Sequence, residues 1–316
     1  MPEGPEIKII TNIMNKWLKG HKFISLNIIR GHYITSANAQ FIIFRKKHEE
    51  FKKILDNKAN FVRIESVECK GKKIYIELCI WRESKKTKSN SLNIQYQNGL
   101  PSNYAPSKYI YLVISMGSSG SWSKELSEQS QMSIVHTDNS EFAGNQQLQQ
   151  IYFEDSRQVG RIEIVNGDEM DDILDSMGVD VMSDEFTLEC FIECVEHNGM
   201  KIIANFLIDQ SILSGVGIVY RSEILYIAKI NPFVKMHTLI KEQIIKLHAA
   251  IKYIMLYSYL QGGISLKPSL TLHKLNYQPL IYGRDKTKKG ENVNYFTLSN
   301  RAIYTIDELP NEDNMQ

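Results

Sequence analysis

The sequence predicts an α+β protein of two domains: an N-terminal helix plus a β domain of sandwich or barrel type, then a mostly helical domain closed by a β hairpin. Three observations predict it. Residues 2–18 place Ile7, Ile10, Ile13, Met14, Trp17 and Leu18 at helical spacing, and Gly20 follows as a stop. Short β-rich runs then alternate with turn signals as far as residue 165: KFISLNIIR, FVRIESVEC, KIYIELCIW, YIYLVISM, MSIVHTD, QQIYFED and RIEIV. After an acidic stretch beginning past residue 166, the period changes to a helical one in FTLECFIECVE, MKIIANFLID, YRSEILYIAKI and HTLIKEQIIKLHAAIKYIMLYSYL.

Residues 22–82 read as sheet-rich, and residues 83–108, rich in Lys, Ser, Asn and Pro, as a long loop or insertion. The acidic stretch reads as the linker. Domain 1 is expected at 1–182 and domain 2 at 183–316, with the closing hairpin near 277–306 built from LIYG, VNYFTL and RAIYTI.

Composition excludes several classes. With 43% hydrophobic and 23% charged residues the chain is an ordinary globular one. Its apolar runs, such as residues 251–260, are too short for a membrane span. The N-terminus lacks the layout of a secretion signal, so a cytoplasmic, nuclear or viral-factory location is expected, not a secreted one. Four scattered cysteines make no disulfide framework. The net charge of +1 hides an asymmetry: residues 163–196 hold 12 acids and no Lys or Arg, and residues 307–316 hold four more acids. The rest carries 37 basic against 20 acidic side chains, which fits a DNA-binding face as well as it fits an acidic loop plus surface lysines.

The chemistry starts at Met1-Pro2-Glu3-Gly4-Pro5-Glu6. Loss of Met1 before a small residue leaves a secondary amine on Pro2. An α-amine has a pKa near 8, against about 10.4 for lysine, so far more of it is an uncharged nucleophile at neutral pH. Attack on the anomeric carbon of a deoxynucleotide expels the base and leaves an iminium, which acidifies the neighbouring sugar protons and permits elimination of phosphate. Glu3 is placed to act as the acid/base of that reaction. Alone, Pro2 reads simply as the start of a helix.

The whole hexapeptide resembles the N-terminus of the Fpg/Nei family of oxidised-base DNA glycosylases, and PEGPE is similar to the Nei branch. Further motifs follow in the same order. Lys70-Gly71-Lys72-Lys73 resembles the family's RGK turn, which implies a phosphate contact and catalytic assistance for Lys72. Ser115-Met116-Gly117-Ser118-Ser119-Gly120 resembles the loop whose Met fills the void left by the extruded base, a role carried over to Met116. Asp155-Ser156-Arg157-Gln158-Val159-Gly160 resembles D-P-R-R-F-G. Arg157 takes the polar part of void filling, and Val159 stands where the family has Phe, without its aromatic ring. Residues 174–181 resemble the signature that closes the first domain.

Leu207-Ile208-Asp209-Gln210 with Gly215-Val216-Gly217, Tyr220 and Glu223 resembles the helix-two-turn-helix signature. Gly215 and Gly217 are expected to let helix-start amides hold a DNA phosphate. Ile218 and Ala204 depart from the family's phosphate-contacting Asn and Lys, which shifts the load to Lys72, Arg301 or Lys201. Gly262-Gly263-Ile264-Ser265-Leu266 and Tyr282-Gly283-Arg284 bracket a segment like the family's damage-recognition region. No Cys follows Cys194, so the family's four-cysteine zinc hairpin is impossible here. Yet Asn300-Arg301-Ala302-Ile303-Tyr304 resembles its second strand, as in the zincless-finger subgroup, with Arg301 as the minor-groove contact. Apolar pairing through Val293, Tyr295, Phe296, Ile303 and Tyr304 is expected to replace the metal.

The resemblance thus implies an α+β fold with an N-terminal helix plus β-sandwich domain and a C-terminal helix-two-turn-helix domain with a zincless β-hairpin finger. It implies a monomer acting without cofactor on damaged DNA in the cleft between the domains, with no membrane partner. Pro2, Glu3 and Lys72 are its catalytic residues, supported by Glu6 and Glu223. Met116, Arg157 and Val159 fill the void, and Lys72, Gly215, Gly217 and Arg301 bind DNA. Favoured substrates are oxidised pyrimidines, hydantoins and formamidopyrimidines. The alternatives are an 8-oxoguanine glycosylase, a non-catalytic damaged- or single-stranded-DNA binder, an N-terminal-proline tautomerase, and a metal on Cys190, Cys194 and His197.

Overall fold

Helix α1 (Gly4–Leu18) begins where the Glu3 amide donates to the Glu6 carboxylate at 2.9 Å, the backward half of a capping box, and it buries Ile7, Ile10, Met14 and Leu18. The computed structural model describes residues 2–83, 96–97, 100–101, 104–137, 147–264, 266 and 276–307. Met1, most of the polar segment expected as an insertion, Ser265 of the Gly-Gly-Ile-Ser-Leu motif and the acids after Asp307 lie outside them.

The chain forms two units. The first takes residues 10–69 and 73–172, and the second takes Pro2–Ile9, 70–72 and 173–316. The second unit therefore starts ten residues ahead of the boundary read from the sequence and gathers in the start of α1 and one turn from afar.

In the first unit, β1 (Lys22–Ile28) leads to a short α2 (His32–Thr35) and an 18-residue α3 (Ala39–Asp56). The stretch 22–82 is thus not sheet throughout. Asn38 caps α3 by accepting from the Gln40 amide at 3.2 Å, and Phe41, Phe44 and Phe51 form its buried stripe. Strands β2 (Asn60–Lys70) and β3 (Lys73–Glu83) follow, then a two-residue pair, β4 (Tyr96–Gln97) with β5 (Leu100–Pro101). The rest are β6 (Tyr104–Ser115), β7 (Gly120–Ser123), β8 (Ser130–Thr137), β9 (Leu148–Asp155) and β10 (Arg161–Val165).

The strands pair in the order β10-β6-β3-β2-β1-β8-β9-β7. At its middle the order is held by a single residue pair, Lys22 with Arg63, so it folds as two four-stranded halves of a sandwich. Ile64, Ile76, Leu78 and Leu112 from one half and Phe23, Trp122, Ile134 and Phe153 from the other are buried. The acidic stretch expected as a linker begins with a helix, α4 (Gly167–Asp175), whose Asp168 and Glu169 sit in the first turn, where a helix favours negative charge.

The second unit holds α5 (Leu188–His197), α6 (Ile203–Phe206), α7 (Ile218–Ala228) and α8 (Lys241–Leu260) around Phe186, Phe191, Phe206, Tyr220, Ile224 and Ile251. A parallel two-residue pair, β11 (Val179–Asp180) with β12 (Leu213–Ser214), ties its first residues to the turns ahead of α7. The closing hairpin is β13 (Asn294–Leu298) with β14 (Arg301–Thr305), while LIYG at 280–283 is loop rather than strand. Ser299 and Asn300 join the two strands with φ of 50° and 58°, the positive values that a two-residue hairpin turn of type I′ requires. Tyr295 faces Tyr304 with ring centroids 5.3 Å apart, Phe296 pairs Ile303, and Phe233 packs on Phe296.

Candidate active site

Glu3 is fully buried, and its carboxylate accepts hydrogen bonds from the amides of Val219 (3.1 Å) and Tyr220 (3.3 Å), in the first turn of α7. Those amides lack partners within their own helix and lie at its positive end, so an acid is the natural occupant. Gly217 makes the approach possible, because a Cβ there would sit 2.2 Å from Glu3 Cδ. The Gly4 amide donates to the Gly215 carbonyl at 2.8 Å, which locks the start of α1 onto the same turn. Pro2, half-buried, is the residue before this fixed point. The sequence reading gave the amides beside Gly215 and Gly217 to a DNA phosphate. In the structure Glu3 takes them, so these glycines serve the acid.

One turn further along α1, Glu6 is equally buried. Its Oε2 accepts from the Glu3 amide, and its Oε1 accepts from Tyr220 Oη at 2.5 Å and the Ile264 amide at 2.7 Å. Tyr220 Oη also meets Ser258 Oγ. Burial pushes the Glu6 carboxyl up to about 7, against the lowering effect of these donors. Burial also raises Glu3 above the ordinary carboxylate value, opposed by the Lys72 charge and the α7 amides.

Lys72 sits in the turn between β2 and β3. The Gly71 amide donates to Asp180 Oδ2 at 3.0 Å, and a Cβ on Gly71 would lie 2.5 Å from Ser214 Cβ. Lys70 donates to the carbonyls of Leu174 (2.9 Å) and Met177 (3.3 Å) at the end of α4. The two residues ahead of Lys72 are therefore both bolted down. Burial lowers the Lys72 pKa, Glu3 opposes the shift, and the charges of Arg301 and Arg221 add to it. Acid and base thus lie within electrostatic reach of one another and of the hairpin.

Gln210 shapes the turn before α7: its side-chain amide donates to the carbonyls of Ile208 and Val216 and its oxygen accepts from the Gly215 amide. Lys201, a candidate DNA contact, is held by Asp209 at 2.6 Å. Glu223 is buried and accepts from Tyr277 Oη (2.7 Å) and the amides of Leu280 (2.6 Å), Ile281 (3.0 Å) and Tyr282 (2.9 Å). It anchors the loop that the sequence assigned to damage recognition. Arg301 is exposed at the first position of β14.

In the first unit, the three void-filling candidates meet at one place. Asp155 accepts from the hydroxyl of Ser119 and from the Gly160 amide at 2.6 Å, and Ser119 Oγ accepts from the Arg157 amide at 3.1 Å. The loop after Met116 and the loop carrying Arg157 and Val159 are thereby joined. Arg157 and Val159 are exposed, but Met116 is buried at 2% where it follows β6, packed as a strand-end core residue. Val159 is the apolar side chain that stands out from this pair of loops.

Ser258 and Arg221 went unassigned in the sequence, and Gln210 was read there only as part of a motif. Arg221 is fully buried, and its guanidinium donates to the carbonyls of Ala204 (3.1 Å) and Ala302. Cys190 and Cys194 hydrogen-bond to each other, burial pushes Cys194 up to about 11, and the His197 ring meets the Glu193 carbonyl. Among the described residues no three His, Cys, Asp or Glu side chains are grouped to hold a metal.

Comparison with known proteins adds independent findings. The model of the formamidopyrimidine-DNA glycosylase N-terminal domain matches residues 1–162, and that of the formamidopyrimidine-DNA glycosylase H2TH domain matches residues 177–269. A formamidopyrimidine-DNA glycosylase of Herpetosiphon aurantiacus is 32% identical over 117 residues, 37% of this chain and 42% of the relative. The one from Yersinia enterocolitica is 35% identical over 102 residues (32% and 38%), and that of Xanthomonas axonopodis pv. citri 27% over 157 residues (48% and 58%). The chain spans about half the length of these curated relatives. Among solved structures, MutM (Fpg) of Thermus thermophilus shares the fold at a TM-score of 0.66, 19% identity and 96% coverage of both chains. Lactococcus lactis Fpg in complex with DNA containing an abasic site does so at 0.68, with 18% identity and 96% and 97% coverage.

Proposed function

The chain belongs to the formamidopyrimidine-DNA glycosylase family, and on that premise we propose that it is a bifunctional DNA glycosylase and abasic-site lyase of base excision repair. The observation that carries this reading is the seating of Glu3. A carboxyl group at the second position of the mature chain is held by helix-start amides, next to the residue whose amine would be the nucleophile.

The Pro2 nitrogen attacks C1′ of an extruded nucleotide, since a base stacked in duplex is out of reach. The glycosidic bond breaks, and the base leaves with that electron pair and a proton. Opening of the sugar ring gives an iminium on Pro2. Loss of a C2′ proton then expels the 3′ phosphate, and a second elimination releases the 5′ phosphate. Glu3, its carboxyl raised by burial, supplies and accepts protons at the sugar. Lys72 and Arg301 hold backbone phosphates. Glu6 fixes α1 to α7 and α8 through Tyr220 and Ser258, and Val159 with Arg157 stands in for the missing base.

Oxidised pyrimidines, hydantoins and formamidopyrimidines are the favoured substrates, supported by PEGPE and the cysteine-free hairpin. The names of the curated relatives favour a second reading, purine lesions including 8-oxoguanine. Excision of thymine glycol and 8-oxoguanine from otherwise identical duplexes separates the two. The mechanism is tested by borohydride trapping on an abasic oligonucleotide. Wild type traps fast; Pro2→Gly, which swaps the secondary amine for a primary one, traps slowly, as do Glu3→Gln and Lys72→Ala. Efficient trapping by protein with a blocked N-terminus refutes the Pro2 mechanism, and binding without any trapping makes the chain a damage-binding protein.

A further inference from the structure

We propose that Arg221 is a positioning residue, a buried guanidinium strut that sets the β13–β14 hairpin and so aims Arg301; for its ligand, DNA, this rests on the glycosylase reading. The cost of burying a guanidinium is the first argument. Arg221 has no exposed surface, no ion pair with it occurs among the described residues, and its Nε lacks a partner. Burial and the nearby Arg301 charge push its pKa down to about 10, so it stays charged at neutral pH and bears the full desolvation penalty. An apolar side chain of that size would fill the same space more cheaply. A cation kept under such conditions has a use for its donors.

The geometry shows that use. From α7, one planar group reaches the Ala204 carbonyl on α6 and the Ala302 carbonyl on β14. The next residue, Ser222, accepts from the Tyr304 amide at 3.3 Å. Two consecutive helix residues thus grip alternate positions of one strand, and between them Ile303 is buried. Ala302 directly follows Arg301, so its held carbonyl fixes the strand one peptide beyond the Cα from which Arg301 projects. No cysteine is available to hold this hairpin with a metal, since the last one is Cys194. Arg221 ties the strand to the helical core with a bidentate fork that a lysine cannot reproduce.

The test joins two readouts. In Arg221→Met without DNA, hydrogen exchange of amides 294–305 is expected to speed up about tenfold while the sandwich amides stay unchanged. Affinity for duplex carrying an abasic-site analogue should fall about tenfold. The slope of log affinity against log salt should lose about one phosphate contact. Arg301→Ala should lose the same contact, and the double variant no more than either single one. Arg221→Lys, which reaches one carbonyl, should fall between. Unchanged hairpin exchange, or a double variant that loses two contacts, overturns the proposal. If Arg221→Met does not fold, the cycle of Arg221→Lys with Arg301→Ala decides in the same way, additive losses refuting it. Failure of wild-type protein to bind or be trapped on abasic DNA refutes the glycosylase reading instead and leaves the exchange result standing.

Discussion

Gly217→Ala is the sharpest test of how the acid is seated. The backbone at Gly217, with φ −126° and ψ −165°, is ordinary for alanine, so no conformational strain confuses the result. The added Cβ would lie 2.2 Å from Glu3 Cδ and Oε1 and 2.6 Å from Oε2. Restoring normal contact moves the carboxyl group by about 1 Å, which stretches its bonds to the amides of Val219 and Tyr220 past the useful range. Losing two charge-assisted bonds, with the acid still buried, costs about 3 kcal/mol. For a unit of this size that is roughly 6–12 °C in Tm. A displacement of this size near the reacting atoms lowers the rate about 100-fold. The assay is single-turnover cleavage of an abasic duplex beside a thermal melt. Gly167→Ala, where a Cβ would meet nothing, is the control and should match wild type. Wild-type cleavage and Tm in Gly217→Ala would refute the seating of Glu3 described above.

The Glu6 carboxyl, raised from 4.5 to about 7, makes the native state bind a proton that the unfolded chain has lost. Its stabilising contribution is therefore complete below about pH 4.5 and disappears as pH rises through 7. The Tm of wild type should fall across that window relative to Glu6→Gln, and parallel Tm-against-pH curves would count against a raised Glu6. Glu223→Gln puts an amide donor where four donors now converge, so it should cost about 2–4 kcal/mol and free the 277–282 amides to exchange; a Tm within a degree of wild type contradicts the anchor. Asp155→Asn parts the Met116 and Val159 loops, so base excision should slow about tenfold while cleavage of a preformed abasic site is spared, because only the first needs the void filled. Equal loss of both activities would show that these loops do not act at the void.

Much of the fold was legible because its signals are local. The stripe of α1, the alternating strands and the two runs of the closing hairpin each sit in a few consecutive residues. Helix α3 was legible too, through Asn38 and the spacing of Phe41, Phe44 and Phe51, but the β-rich runs around it drew residues 22–82 into one reading. The site was legible as a set of parts. Motif resemblance found Glu3, Lys72, Tyr220 and Glu223, yet not that Glu3 meets residues 216 and 217 positions away, nor that Glu223 is an anchor for a loop more than 50 residues on. Arg221 left no sequence signal, because arginine is rarely buried and nothing local tells a buried one from a surface one. Met116 shows what a motif match leaves out: the match marked it for insertion without signalling that, without DNA, it is buried at the end of β6.

For the proposed role in binding DNA, affinity rests on side chains more than on the start of α7. A helix start is the usual backbone site for a phosphate, but the amides of Val219 and Tyr220 already serve Glu3. Ile218 and Ala204 add no donor in their side chains. Near Glu3 lie Lys72, Arg301 and Arg221. Burial does most to weaken the hold of Lys72 and of Arg221 on their protons; both arginines weaken that of Lys72 further, and Arg301 weakens that of Arg221. At Lys72 the opposing Glu3 charge outweighs that of either arginine. On the proposed role, a phosphate bound by Lys72 favours the charged form that burial disfavours in the free protein. On the same proposal, seating Glu3 on α7 takes the amides of Val219 and Tyr220 out of phosphate binding and leaves that contact to side chains that a single substitution can remove.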